Sequence, residues 1–255
     1  MTMKKIIIPA VAALAVAASC SPRLAGNLDY SWHPVDITAS LDAGTNDAAL
    51  EAISSYDSLL APLQEIIGYS EEEYSKKYPE SGLSDFAADV IRESAGKYIG
   101  GQVHAAITNF GGIRTDLPKG AVRVYDIYSI FPFNNYIVVL DIKGSELRSL
   151  IERWVADEKI PAVSGIRIEA DGTAMTSCIV AGEPVDDGKI YKVATTDFLH
   201  TGGDNILPDG IAVNVVKTEV VMRDMYVGYI REMTAAGRKI DLQPDGRVVV
   251  KNIKK

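Results

Sequence analysis

The sequence predicts a mixed α/β (α+β) domain with antiparallel and mixed sheets and packed helices, and three observations predict it. Short apolar runs of strand character are interleaved with stretches whose apolar residues recur at helical spacing. Turn-forming dipeptides, Asp171-Gly172 and Asp187-Gly188, punctuate the later runs and read as hairpin turns. The order of elements also lacks the regular alternation of a doubly wound parallel sheet.

Taken in order, a first strand is expected near residues 35–39. Asn46 and Asp47 then offer a cap to a long helix in which Leu50, Ile53, Leu60, Leu63 and Ile67 recur at helical spacing, with Pro62 as a bend. A second helix starts at Ser81 or Ser84 and continues to Tyr98, burying Phe86, Val90 and Ile91. Residues 103–108 form an apolar strand that ends at Asn109, and 136–142 read as a buried strand. Gly144 and Ser145 open a helix that turns Leu147, Leu150, Ile151 and Trp154 inward. Strands follow near 166–169, 178–181 and 191–196, a last helix is expected over about 218–236, and 248–250 closes the fold.

The N-terminus carries its own signal. Lys4 and Lys5 precede an apolar segment over 6–17, and Ala18-Ser19-Cys20 follows, which is the pattern of a secretory leader. The apolar stretch is shorter than the roughly 20 residues of a membrane-spanning helix, and Pro9 interrupts it. Small residues immediately before a cysteine resemble the bacterial lipobox. That resemblance implies cleavage before Cys20, a lipid on that cysteine, and an exported, membrane-anchored place in the cell envelope. The organisation expected is a leader over 1–19, a tether over 20–34 and a domain over 35–255. Cys178 is the one other cysteine, so no internal disulfide forms when Cys20 is acylated, and its apolar neighbours mark it as packing. The formal charge of −8 becomes two units more negative when Lys4 and Lys5 leave with the leader. Such a balance disfavours nucleic-acid polymers and anionic membrane surfaces, so any phosphate must be held by local positive groups.

Three segments carry the candidate chemistry. Asn109-Phe110-Gly111-Gly112-Ile113-Arg114 is a glycine-rich turn whose two consecutive glycines allow a backbone conformation other residues resist and whose main-chain N–H groups can approach an anion, with the planar guanidinium of Arg114 beside it. Phe131-Pro132-Phe133-Asn134-Asn135 sets aromatic groups beside a rigid proline and two amides. Thr196 to Asp204 places Phe198 six residues before Asp204 across the pair Gly202-Gly203. Read blandly, the phenylalanines are core and Asp204 caps a turn. Read functionally, Phe133 and Phe198 sandwich a flat base, and Asp204 accepts from ribose hydroxyls.

The ordered set of these three motifs resembles the C-terminal domain of the 5'-nucleotidase and UDP-sugar hydrolase family. Glu80-Ser81-Gly82-Leu83 with Ala88-Asp89, and Lys143-Gly144-Ser145-Glu146-Leu147, extend the resemblance to roughly residues 35–250. It implies a substrate-binding domain in which Asn109 and Arg114 contact a nucleotide, Gly111 and Gly112 shape the turn, Phe133 and Phe198 stack the base, and Asp204 holds the ribose. The chain departs from the family in having Pro79 where an arginine is frequent, and Ser84-Asp85 where Gly-Asn is frequent. Lys76, Lys77 and Arg92 are the candidates to make up for that arginine's substrate contact, and Asn135 and Asn205 also differ from common family residues.

Hydrolysis in that family belongs to a metallophosphatase domain with Asp-x-His, Gly-Asn-His and Gly-His-x-His motifs, none of which occurs in this sequence. Its three histidines, His33, His104 and His200, show no metal-ligand spacing. His33 and His104 read as exposed or structural, and His200 lies inside the third motif, within reach of a ligand. No catalytic residue, metal or cofactor is therefore expected in this chain, and divalent metals are expected in a partner metallophosphatase. Three readings follow: a nucleotide-recognition domain serving a separately encoded metallophosphatase, a stand-alone nucleoside- or nucleotide-binding envelope lipoprotein, and a relative retained as a structural domain.

Overall fold

A computed structural model describes residues 31, 33–34, 47–54, 56 and 60–252. The leader, Cys20 and the strand expected at 35–39 lie outside the described residues. The chain divides after Ile53 into two units. In the first, the described part includes helix α1 (Asp47–Ser54).

The second unit opens with a 3-10 turn at Ala61–Gln64. It continues through β1 (Ile66–Ser70), α2 (Gly82–Ile99), β2 (Ala105–Thr108), a 3-10 turn at Phe110–Gly112, β3 (Gly120–Arg123), α3 (Val124–Ile130), β4 (Tyr136–Lys143) and α4 (Gly144–Ala156). Next come β5 (Ala162–Ser164), β6 (Ile166–Asp171), β7 (Ala174–Val180), β8 (Glu183–Pro184), β9 (Ile190–Thr196), α5 (Asp197–His200) and a 3-10 turn at Gly203–Asn205. β10 (Ala212–Val221), α6 (Met222–Ala235) and β11 (Val248–Lys251) complete it.

These strands build a central sheet in the order β10-β4-β9-β2-β5, a second sheet in the order β11-β6-β7-β8, and the pair β1-β3. β2 runs parallel to β9 and β11 parallel to β6, while the other pairings are antiparallel, so the class is mixed α/β. β4 explains the architecture, because its near-continuous apolar run is the mark of a strand covered on both faces. Ile137 and Val139 point into one core with Leu83, Phe86, Ile91, Tyr226 and Ile230 of α2 and α6. Val138, Leu140 and Ile142 point into the other with Leu147, Ile151 and Trp154 of α4 and Ile168 and Val180 of the second sheet. The result is three layers around one sheet.

Local chemistry fixes the helices. Ser81 caps α2 in a reciprocal pair with Ser84, and Gly100 ends it in the left-handed region at φ 60°. Tyr226 is fully buried on α6. Its ring stacks on Phe131 at 3.9 Å, and its hydroxyl donates to Ala87 O at 2.8 Å, which satisfies the one polar atom that burial brings in. Cys178 is buried on β7, and burial pushes its thiol up to about 11, in keeping with a packing role.

Several expectations are corrected. The helix expected through Ile67 ends at Ser54, and Ile67 lies in β1, whose Ile66–Ser70 backbone pairs with β3. Pro62, instead of bending a helix, starts the short 3-10 turn, where its missing N–H costs nothing. The last helix begins at Met222, because residues 218–221 finish β10 against β4. Asp187-Gly188 is a turn but not a hairpin: it carries the chain from β8 in one sheet to β9 in another. Asp171-Gly172 does close the β6-β7 hairpin, with Gly172 at φ 57°.

Where β4 passes into α4 the backbone runs against Asp186, and a Cβ on Gly144 would sit 1.8 Å from the Asp186 carbonyl oxygen. Gly144→Ala is expected to cost about 1–3 kcal/mol, read as a lower urea midpoint at unchanged slope. Gly228→Ala, on α6 with nothing within 4 Å of the new methyl, is expected to hold or raise stability by about 0.5–1 kcal/mol.

Candidate functional site

The central sheet brings the three motifs to one of its ends. β9 is antiparallel to β4, with Ile137 opposite Thr196, and parallel to β2, with Ala106 beside Ala194. The chain therefore leaves β2 at Asn109, leaves β9 into α5 and enters β4 from Phe133 and Asn135 at the same edge. There a cavity of about 200 Å³ is lined by Asn109, Gly111, Gly112, Arg114, Phe133, Asn135, Phe198 and Asp204. All seven residues expected to meet a ligand line it, and Asn135 joins them.

Asn109 is buried, and its side-chain amide donates to Asp204 Oδ2 at 2.5 Å, tying the first motif to the third across 95 residues of chain. The glycine pair is explained by this amide and not by an unusual backbone, since neither Gly111 nor Gly112 has a positive φ. A Cβ on Gly112 would lie 2.7 Å from Asn109 Oδ1, and one on Gly111 would lie 3.3 Å from both Asn109 Nδ2 and Asp204 Oδ2. The Gly112 N–H is used inside the turn, donating to Asn109 O at 3.1 Å. Arg114 is exposed; its main-chain N–H donates to Ile130 O at 2.8 Å, and among the described residues its guanidinium makes a single hydrogen bond, to Gly111 O at 3.3 Å. The fork is thus at hand for an anion in the cavity.

The two rings are not core. Phe133 is 44% exposed and Phe198 42% exposed, and both face the cavity. Asp197 ties the start of β4 to α5, for its Oδ1 accepts from the N–H of Tyr136 at 3.0 Å and from that of Phe198 at 2.9 Å. Thr196 caps α5 by accepting from Leu199 N–H at 3.3 Å. Gly203 lies against the Phe198 ring so closely that a Cβ there would fall 2.5 Å from Phe198 Cε1. Gly202 at φ 90° and Asp204 at φ 54° then turn the chain back, and the left-handed Asp204 is a strained position of the kind aspartate tolerates.

Some supports escape the sequence reading. Lys76 donates to Phe110 O at 3.0 Å and also to Ile113 O, and the Tyr78 ring meets Phe110 edge-on at 5.8 Å. Both residues brace the glycine turn; Lys76, a candidate to make up for the missing arginine, is spent on these two carbonyls, and no local pattern announces Tyr78. Pro79, at the departure from the family, sits between Tyr78 and Glu80, and Glu80 accepts from the N–H groups of Gly246 and Val248. His200 is not in the cavity: it lines a separate groove with Tyr136, Thr201 and Lys217. His104 accepts from Lys192 N–H through Nδ1 at 2.8 Å, and burial and then the neighbouring lysines 189 and 192 lower its proton affinity, a structural role. Arg92 is engaged away from the cavity, donating to Ser164 at 2.7 Å.

Comparison with known proteins identifies the family. Residues 65–209 match the family model described as 5'-nucleotidase, C-terminal domain. Protein UshA of Yersinia enterocolitica is 27% identical over 151 residues, covering 57% of this chain and 27% of that protein. Cell wall protein Lmo0130 of Listeria monocytogenes is 28% identical over 189 residues, covering 68% of this chain and 24% of that protein. Among solved structures, the 5'-nucleotidase precursor from Thermus thermophilus has the same fold, with a TM-score of 0.69 at 23% identity over 82% of this chain and 44% of that one. The fold is that of the C-terminal domain of 5'-nucleotidases. The chain belongs to the 5'-nucleotidase C-terminal domain family. It spans about a quarter of the length of these curated relatives. Among the described residues, no helix is long and apolar enough to cross a membrane.

Because the Asn109 amide joins two loops and meets a carboxylate, Asn109→Ala is expected to lower stability by about 1–2 kcal/mol in denaturant unfolding.

Proposed function

We propose that this chain is the nucleotide-gripping half of a 5'-nucleotidase-type hydrolase: it binds a nucleotide or nucleoside phosphate and presents the phosphate to a separately encoded metallophosphatase. The leader over 1–19 directs export, a lipid on Cys20 anchors the protein in the cell envelope, 20–34 serve as tether and 35–255 form the recognition domain. The base stacks between Phe133 and Phe198, Asp204 accepts from the ribose, and Asn109 and Arg114 take the phosphate side. Divalent metals, and the activation of water they supply, belong to the partner.

The observation that carries this reading is the convergence of three distant motifs on one cavity with two phenylalanine rings left more than two-fifths exposed. Leaving that apolar surface in water forgoes about 25 cal/mol per Å², and a stacked base recovers it at ~1–3 kcal/mol per base. A lone guanidinium beside the rings suits the anionic end of the same ligand.

Calorimetric titration with AMP, adenosine and UDP-glucose tests the binding. Phe198→Ala is expected to weaken it about tenfold or more, with His200→Ala near native because His200 lines a different groove. Equal losses would remove the stacking assignment. Arg114→Lys is expected to weaken nucleotide binding while sparing the nucleoside, since an ammonium cannot reproduce the planar fork. For the partnership, nucleotidase activity is expected only when this chain is mixed with an exported metallophosphatase encoded beside it. Binding without stimulation in that mixture would make the protein a stand-alone binder, and no binding at all would leave a structural domain.

A further inference from the structure

Away from the cleft, three carboxyl groups crowd one guanidinium, with a fourth, Glu80, beside two of them, at the junction of α2 and the C-terminal strand. The Ser81 cap sets Asp85 and Asp89 one helical turn apart near the start of α2. Arg247, just before β11, is 8% exposed. It donates to both oxygens of Asp89 at 2.8 and 3.0 Å, to both of Asp245 at 3.1 and 3.0 Å, and to Val163 O at 2.9 Å. Glu80 accepts from the N–H groups of Gly246 at 2.7 Å and Val248 at 2.9 Å, so the strand is pinned from both sides.

Asp85 is the member left over. It is 4% exposed, and its Oδ2 is buried with no hydrogen-bond partner, the Arg247 Nε being 3.5 Å away. Oxygens of Glu80, Asp85 and Asp245 lie within 4.8 Å of one another. The other charged groups facing the cluster are Arg167, 3.5 Å from Asp245, and Arg92, which reaches Asp89 only through the Ser164 hydroxyl. Arg247 directs its N–H groups to Asp89, Asp245 and a carbonyl, so to Asp85 it offers a 3.5 Å approach without a hydrogen bond, which offsets only part of the cost of a second bare carboxylate beside Glu80.

We propose that Asp85 is a protonated carboxyl that donates to Glu80, and that this shared proton makes the α2–β11 junction a pH-sensitive latch. Burial is the main cause that lifts Asp85 to about 8; Arg247 opposes it, and Glu80 and Asp245 add to it. The sign follows from proton counting. Between the ordinary carboxyl value of 3.8 and about 8, the folded protein keeps a proton that the unfolded chain has released, so stability falls as pH rises through that window. Above it, the ionised pair repels across the contact that holds Gly246–Val248. A metal ion in place of the proton is disfavoured by the guanidinium 3.5 Å from the same oxygen.

Asp85→Asn replaces the protonated acid by a neutral donor of the same shape. Unfolding of the mature full chain, followed from about pH 5 to about pH 9, is expected to show the native protein losing up to about tenfold in folding constant per pH unit relative to Asp85→Asn, levelling near pH 8. Hydrogen exchange of the 246–251 amides is expected to quicken in the native chain above that pH when compared with the variant at the same pH. Parallel pH profiles of the two proteins would overturn the latch. So would a melting temperature raised by millimolar calcium or magnesium in the native chain and not in the variant, which would make the cluster a cation site. Should Asp85→Asn fail to fold, Glu80→Gln serves instead: a midpoint displaced to lower pH supports the shared proton, and an unmoved midpoint refutes it.

Discussion

The hydrogen-bond register of β4, β9 and β2 is the constraint on which the site depends. Pairing Ile137 with Thr196 and Ala106 with Ala194 forces three loops, separated by dozens of residues, to leave one sheet at one end. A slip of one residue in β4 would exchange its two apolar faces, moving Ile137 and Val139 out of one core and Val138 and Leu140 out of the other. That penalty locks the register, and the locked register fixes where Phe133 stands relative to Phe198. Core packing and ligand geometry are here the same fact seen at two distances from the sheet.

On that frame the site is stiffened by polar contacts rather than by burial. The Asn109–Asp204 bond spans two motifs, Asp197 joins the start of β4 to α5, and Lys76 holds two carbonyls of the glycine turn. Each leaves the rings and the Arg114 guanidinium open to solvent while limiting how the loops move. Such an arrangement keeps the cost of ordering low when a ligand enters.

Much of this was legible in the residues, for reasons that differ from element to element. β4, α2 and α4 carry long apolar patterns whose period survives any reasonable tertiary context, and their spans agree with expectation. The candidate site residues, which line one cavity, were picked out because three motifs in order resemble one family; taken singly, the glycine turn suggested a special backbone, whereas the glycines clear the Asn109 side chain. Short segments failed. β1, β3 and α3 span four to seven residues each, and their identity is set by partners distant in sequence. The end of β10 was read as helix because a register shift between Lys217 and Val221 breaks the alternation that marks a strand. Lys76 and Asp85 act through contacts that no local spacing encodes.

The glycine beneath Phe198 restricts how this cleft can diversify. With no room for even a methyl group under the ring, position 203 can take a larger residue only if position 198 changes with it. A change in the shape of the cleft is then reached more readily through Asn135, which lines the same space.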